Sequence, residues 1–266
     1  MRLAVITLTL SLLASPVMAG SLLLQSTTST KNSGLYDHLL PLFEAKTGIG
    51  VNVVAVGTGQ AIKNAANCDG DVLIVHAKSA EDAFVAEGGG VARHDLMFND
   101  FILVGPEKDP AGINGMTNVS AALQAIEGDA LFASRGDDSG THKKEMALWA
   151  TAGIDPTEAS GTWYRETGSG MGATLNVAAA MGAYVLTDRA TWLAFANKAD
   201  LEILVEGDPA LFNQYGVIRV SEVKCPNVKA AAADRVIAWL LSAKGQAAIA
   251  SFKRQGTQLF YPNAKR

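Results

Sequence analysis

Apolar runs of four to six residues recur along the chain, each followed by small polar residues and then by a stretch with helical spacing. Residues 22–25 (Leu-Leu-Leu-Gln) predict a short buried strand. Five hydroxyls follow it directly: Ser26, Thr27, Thr28, Ser29 and Thr30. A helix is then expected over residues 34–46, with Leu35, Leu39, Leu42 and Phe43 on one face, Gly48 as its stop and Pro41 as a kink. Residues 51–56 are nearly continuously apolar, as buried parallel strands are, and Gly57-Thr58-Gly59-Gln60 turns them into a helix over 61–67. The pattern repeats with a strand at 71–76 and a helix at 79–86. This is βαβαβ, an α/β arrangement whose ligands bind outside the carboxyl ends of the strands. The hydroxyl run and Thr58 both fall at that edge. The plainer reading of the run is a polar cap that uses one or two of its members.

Residues 95–106 read as an extended crossing into a second lobe, ending at Gly105-Pro106. That lobe is expected to hold a helix at 120–127, a strand at 130–133, a helix after the turn that follows, a strand at 163–165 and a helix ending at 181. Residues 184–186 begin the return. Strands at 201–205 and 217–220 and helices at 228–241 and 245–252 then complete the first lobe. The resulting boundaries are 20–103 plus 188–266 for lobe one and 104–187 for lobe two. Gly168, Gly170 and Gly172 do not make a dinucleotide fingerprint, because the first βαβ unit lacks the motif and no acidic partner follows at the needed distance. They offer exposed amides instead.

The start of the chain changes the picture of where it works. Met1-Arg2, an apolar stretch over 3–13 too short to span a bilayer, and Val17-Met18-Ala19 predict a secretory leader cleaved after Ala19. The mature chain would have 266 − 19 = 247 residues, free in a bacterial periplasm. Losing Arg2 moves the formal charge from −4 to −5. With 48% hydrophobic and 18% charged residues the rest has the balance of a globular chain with a large core. A net acidic chain without a basic run has no general field for nucleic acid, so any anion must be held by a local site. Cys68 and Cys225 are the only cysteines. In an oxidising compartment one long-range disulfide is the simplest pairing, two buried thiols the alternative. No His stands at zinc-ligand spacing to either, and no metal site is expected.

The candidate chemistry concentrates in Ser134-Arg135-Gly136-Asp137-Asp138-Ser139-Gly140-Thr141-His142-Lys143-Lys144-Glu145, a strand-to-helix turn. Such a turn exposes the first N–H groups of the helix at the positive end of its dipole, a natural place for an anion. Arg135 adds a planar fork of donors, and Ser139 and Thr141 add hydroxyls. Asp137, two residues on, is placed to hold the guanidinium from behind. An ordinary turn capped by Ser139 or Thr141 is the alternative. Two lysines in the first helical turn argue against it, since the dipole disfavours cations there unless negative charge is near. Nucleophilic catalysis through Ser139 or Asp138 finds little support, because there is no G-x-S-x-G elbow and His142 falls on the helix after the turn.

Together with Ser33-Gly34-Leu35, Val56-Gly57-Thr58-Gly59-Gln60-Ala61 and Glu166-Thr167-Gly168-Ser169-Gly170-Met171, the hydroxyl run and the Arg135 turn resemble the tungstate-binding periplasmic component of tungstate ABC importers. The resemblance covers essentially the whole mature chain. It implies a two-lobed periplasmic binding protein fold of type II, with two crossovers and a mostly parallel sheet flanked by helices in each lobe, closing on one oxyanion. It implies no enzyme and no cofactor, a membrane permease as partner and a monomer. The implied ligand set is Ser26, Thr27, Thr28 and Thr58 from lobe one with Arg135, Ser139, Gly140 and Thr141 from lobe two, Asp137 orienting Arg135. Ser26 stands where the family pattern leads one to expect Thr. The Arg135-x-Asp137-x-Ser139-Gly140-Thr141 spacing also resembles phosphate-binding proteins, so phosphate is the rival ligand. Phosphate near neutral pH keeps a proton and needs an acceptor, whereas tungstate and molybdate only accept. Choosing between those two is a matter of cavity size.

Overall fold

The computed structural model describes residues 21–254 and 256–265. The expected leader, and its cleavage after Ala19, lie outside them. In chain order the elements are β1 (Leu22–Thr27), α1 (Thr28–Ser33), α2 (Leu35–Thr47), β2 (Val51–Val56), α3 (Thr58–Ala66), β3 (Val72–Val75), α4 (Lys78–Ala86), β4 (Gly90–Pro106), α5 (Val119–Ile126), β5 (Phe132–Ser134), α6 (Gly140–Ala152), β6 (Tyr164–Glu166), α7 (Met171–Met181), β7 (Val185–Asp188), α8 (Arg189–Ala194), β8 (Leu201–Val205), β9 (Phe212–Val220), α9 (Ala230–Leu241) and α10 (Ala243–Ser251). A terminal Tyr261–Pro262 strand adds to the edge of β4.

In the first lobe β2, β1 and β3 are parallel, and β3 continues antiparallel into β9 and then β4. In the second, β6 and β5 are parallel, while β7 and β8 pair antiparallel with the far half of β4. The sheets are therefore mixed where mostly parallel ones were expected. The antiparallel members are β4, which crosses, the strands paired to it, and β9 against β3. Each lobe has its own core. Leu35, Phe43, Tyr215, Trp239 and Phe260 pack in the first, and Phe101, Phe132, Trp149, Tyr164 and Tyr184 in the second.

The 17-residue β4 belongs to both sheets, and that fixes the lobes. Its pairing changes from Asp100 opposite Phe212 to Phe101 opposite Asp188. The sequence reading put residues 201–205 in lobe one. Instead β8 pairs with the end of β4 nearest Pro106, and Leu204, Val205 and Leu211 lie in the core of lobe two. The chain returns at β9, not near 188. A five-residue strand with one polar position, Glu202, fits the edge of either sheet, so its apolar pattern carries no address. Between β7 and β8, α8 straddles the lobes, with Ala190 in the first core and Trp192 in a further apolar cluster with Ile102, Val104 and Leu201 of lobe two.

Two local differences matter for the site. The hydroxyl run is helical from Thr28, and a left-handed Gly34 (φ 88°) separates this short α1 from α2. Pro41 sits inside α2, which runs on to Thr47. Cys68 and Cys225 form a disulfide with Cα atoms 5.2 Å apart, tying the loop after α3 to the loop after β9 within lobe one. Among the described residues no helix is long and apolar enough to cross a membrane, and no cluster of His, Cys, Asp and Glu could hold a metal ion.

Candidate functional site

The Arg135 turn is built as a donor platform. β5 ends at Ser134, and the turn is made by Gly136 (φ 57°) and Asp138 (φ 56°), both left-handed. Asp137 holds it from behind: Oδ2 accepts from Arg135 Nη2 at 2.5 Å and Oδ1 from the Ser139 N–H at 3.2 Å. Ser139 is the N-cap of α6, its Oγ accepting from the His142 N–H at 3.2 Å. Gly140 and Thr141 are the first two residues of that helix. Of the two lysines, one finds a carboxylate and the other a carbonyl. Lys143 Nζ pairs with Asp138, and Lys144 Nζ donates to the Phe212 carbonyl at 3.3 Å, reaching from lobe two to the first residue of β9. Arg135 Nε and Thr141 Oγ1 are buried and bonded to no protein atom.

Lobe one answers with a second helix end. Gly57 is the N-cap of α3 and Thr58 its first residue, fully buried, with Oγ1 also lacking a protein partner. Thr27 caps α1 and shares hydrogens with Thr30 Oγ1 at 2.7 Å and Ser29 Oγ at 3.2 Å. Thr28 is half-buried. Ser26 is different. Its hydroxyl donates to the Ile74 carbonyl at 2.9 Å, so the Tyr36 hydroxyl, 2.5 Å away, donates to it. A serine has one hydrogen to give, and this one is committed beneath the sheet. Strand alternation holds the reason, since Ser26 shares a face with Leu22 and Leu24, which lie in the core.

His76, just past the carboxyl end of β3, is the residue that sequence reasoning missed. Its ring is bonded through Nδ1 to Asn213 Oδ1 at 3.0 Å and stacked on Tyr215 at 4.8 Å. Burial, aided by the positive field of Arg135, lowers its pKa to about 4, so it is neutral near pH 7. The signal available was its place at the strand edge that also carries Thr58.

The two helix ends meet. A Cβ placed on Gly140 would lie 2.8 Å from Thr58 Oγ1 and 2.8 Å from His76 Cε1, closer than real Cβ contacts come. A Cβ on Gly57 would lie 4.0 Å from Ser139 Cα and Cβ, and one on Gly59 2.4 Å from Asp138 Oδ2. Gly57-Thr58-Gly59 and Asp138-Ser139-Gly140 therefore form one seam between the lobes. Thr58, Arg135, Ser139 and Thr141 are each at most 4% exposed along it. Beside the seam a cavity of about 500 Å³ opens, lined among others by His76, Gly140, Lys143, Lys144 and Phe212.

What this arrangement does chemically is donate. Asp137 has both oxygens engaged, and the partnerless buried atoms Thr58 Oγ1, Thr141 Oγ1 and Arg135 Nε can each give a hydrogen. The geometry of a serine nucleophile is not formed. Ser139 Oγ caps the helix, and the His142 ring accepts from the Asp138 N–H at 3.1 Å through Nδ1.

Comparison with known proteins agrees with this architecture. The family model described as a PBP superfamily domain matches residues 15–244. The tungstate-binding protein TupA of Peptoclostridium acidaminophilum is 48% identical over 250 residues, covering 92% of this chain and 86% of that protein. TupA of Campylobacter jejuni is 40% identical over 242 residues, 89% of each chain. The solved structure of TupA from Desulfovibrio alaskensis superposes with a TM-score of 0.80 at 49% identity, over 93% of this chain and 100% of that one. On these grounds the chain belongs to the TupA family of tungstate-binding proteins, within the PBP superfamily.

Proposed function

We propose that the protein is the substrate-binding component of a tungstate ABC importer, capturing tungstate between its lobes and delivering it to a membrane permease. It works in the periplasm as a free receptor released from its leader after Ala19, without catalysis. The ligand-holding groups in this reading are Thr58, Arg135, Ser139 and Thr141, with the N–H groups at Gly140 and at the start of α3, while Thr27 and Thr28 line the lobe-one rim. Asp137 aims Arg135, and Ser26 supports the sheet.

The observation that carries the reading is the trio of buried, partnerless donors on one seam: Thr58 Oγ1, Thr141 Oγ1 and Arg135 Nε. An unsatisfied buried donor costs about 1–3 kcal/mol. A closed seam is therefore favourable only around something that accepts from all of them, and an oxyanion with four equivalent oxygens does so. Such a ligand binds the closed form selectively, which is the condition for a ligand to shift a hinge equilibrium. A protonated oxyanion would leave its own O–H facing donors, which favours tungstate and molybdate over phosphate. A ring of charge-assisted bonds at about 1.5–3 kcal/mol each, less the cost of ordering the lobes, is compatible with nanomolar affinity, about −12 kcal/mol.

The test is a competitive calorimetric titration of the mature chain with tungstate, molybdate, sulfate and phosphate. Tungstate should bind one per chain and displace the others. Phosphate binding more tightly than tungstate, or no anion binding at all, would remove the proposal.

A further inference from the structure

Glu145 is a buried acid outside the donor seam. It stands on the second turn of α6, 1% exposed. A chain of hydrogen bonds joins it to the turn that carries Arg135. The Gly136 N–H donates to Ser134 Oγ at 3.2 Å, Ser134 Oγ lies 2.8 Å from the Tyr164 hydroxyl, and that hydroxyl lies 2.5 Å from Glu145 Oε1. The phenol has one hydrogen for two contacts. Given to Glu145, it leaves Ser134 to supply the other, so every hydrogen in the chain points from the Arg135 turn toward the acid. Glu145 Oε2 is buried and bonded to no protein atom. No salt bridge among the described residues includes Glu145. A carboxyl buried without a cation favours its neutral form.

The charged groups on the neighbouring elements are engaged elsewhere or oppose ionisation. Arg135 is bonded to Asp137. From β6, beside Tyr164, the charge of Glu166 raises the proton affinity of Glu145. Asp188, at the end of β7, accepts from the Thr191 N–H and hydroxyl. On α6 itself His142 and Lys144 turn to Asp138 and Phe212. The α5 segment packed on α6, Val119–Ile126, has no ionisable side chain.

We propose that Glu145 couples oxyanion binding to a proton: the Arg135 turn and the start of α6 hold their anion over a neutral Glu145, and ionising that acid weakens binding. This rests on the receptor reading. The cause is charge placed close behind the donors, since only about 7.5 Å of helix axis separates Glu145 from Gly140. A negative charge about 10 Å from a dianion, even at an effective dielectric constant of about 40, lowers affinity by at least about tenfold. By reciprocity the bound anion raises the proton affinity of Glu145 by the same factor. Burial pushes the pKa up to about 8, and the anion would carry it to about 9.

Calorimetry on the mature protein tests this with tungstate, which carries no proton in the range used. The parent should bind about fivefold more weakly at pH 9 than at pH 7. At pH 8 it should take up about 0.4 proton per tungstate, read from the change in heat between buffers of different ionisation enthalpy. Glu145→Gln should bind alike at pH 7 and pH 9, with no buffer dependence. Tyr164→Phe keeps the ring beside Phe132 and Trp149 but removes a donor to Glu145, so the weakening should move to higher pH. A parent affinity constant within twofold from pH 7 to pH 9, or a Glu145→Gln variant that keeps the fall and the proton uptake, would overturn the coupling and leave the receptor intact. Should Glu145→Gln fail to fold, weakening of Tyr164→Phe at the parent's pH would overturn it. Absence of tungstate binding to the parent at pH 7 would overturn both.

Discussion

Gly140→Ala adds one methyl group where the two lobes touch. The new Cβ would sit 2.8 Å from Thr58 Oγ1, 2.8 Å from His76 Cε1 and 3.1 Å from His76 Nδ1. Neither neighbour can step aside easily. Thr58 is on the first turn of α3, and the His76 ring is held by Asn213 and stacked on Tyr215. The closed form must therefore widen, at the ~1–3 kcal/mol typical of overpacking, which is about 5–150-fold in tungstate affinity. The open form meets no such clash. Gly140 is the first residue of α6 and lacks a positive φ, so Ala restricts the unfolded chain and adds about 0.4–1 kcal/mol of stability. The two effects have opposite signs. The melting temperature without tungstate should hold or rise slightly, while the tungstate-induced increase should shrink. Calorimetry and a thermal melt on the same sample read both. A tungstate Kd within twofold of the parent would refute the claim that the lobes close at Gly140.

Arg135→Ala should weaken tungstate binding at least a hundredfold, about two charge-assisted bonds, and an unchanged calorimetric Kd would exclude Arg135 from the site. Replacing Cys68 and Cys225 by Ser should cost about 2–5 kcal/mol in a urea melt. It should leave tungstate stoichiometry at 25 °C intact, because the bridge lies beyond the opposite end of α3 from Thr58. Glu145, buried beneath the Arg135 turn and accepting from Tyr164 at 2.5 Å, has its pKa raised to about 8 from 4.5, chiefly by burial. The folded chain thus holds a proton there that the unfolded chain releases. This contribution is full below pH 4.5 and is lost as pH rises through 8, so stability should fall across that window. Glu145→Gln should flatten the fall in denaturant melts taken at pH 5 and pH 8.5. A wild-type stability that rises between them would contradict the assignment.

Much of the seam was legible because its chemistry is local. The strand-to-helix turn at residues 134–140 announces a cluster of donors through Arg135, Ser139 and Thr141, and the Asp137 contact with Arg135 follows from a two-residue spacing. Thr58 could be found in the same way, at the end of an apolar strand. What was not legible depends on partners distant in sequence. Ser26 looks like its neighbours until Ile74, 48 residues away, takes its hydrogen. His76 becomes part of the seam only when Asn213 and Tyr215 come back to hold it. The strand at 201–205 reads correctly as a strand, but the sheet it joins is decided by where β4 runs out of partners. Periodicity specifies which face is buried, not against whom.

The chain passes between the lobes at two neighbouring points, within β4 at Asp100-Phe101 and at the entry to β9, where Phe212 pairs with Asp100. A hydrogen-bonded strand pair resists sliding, because slip by one residue turns every side chain to the wrong face. It bends far more readily than it shears. A receptor that closes about such a joint would bring the same rim residues back to the same neighbours and meet its cargo with the same set of atoms each time.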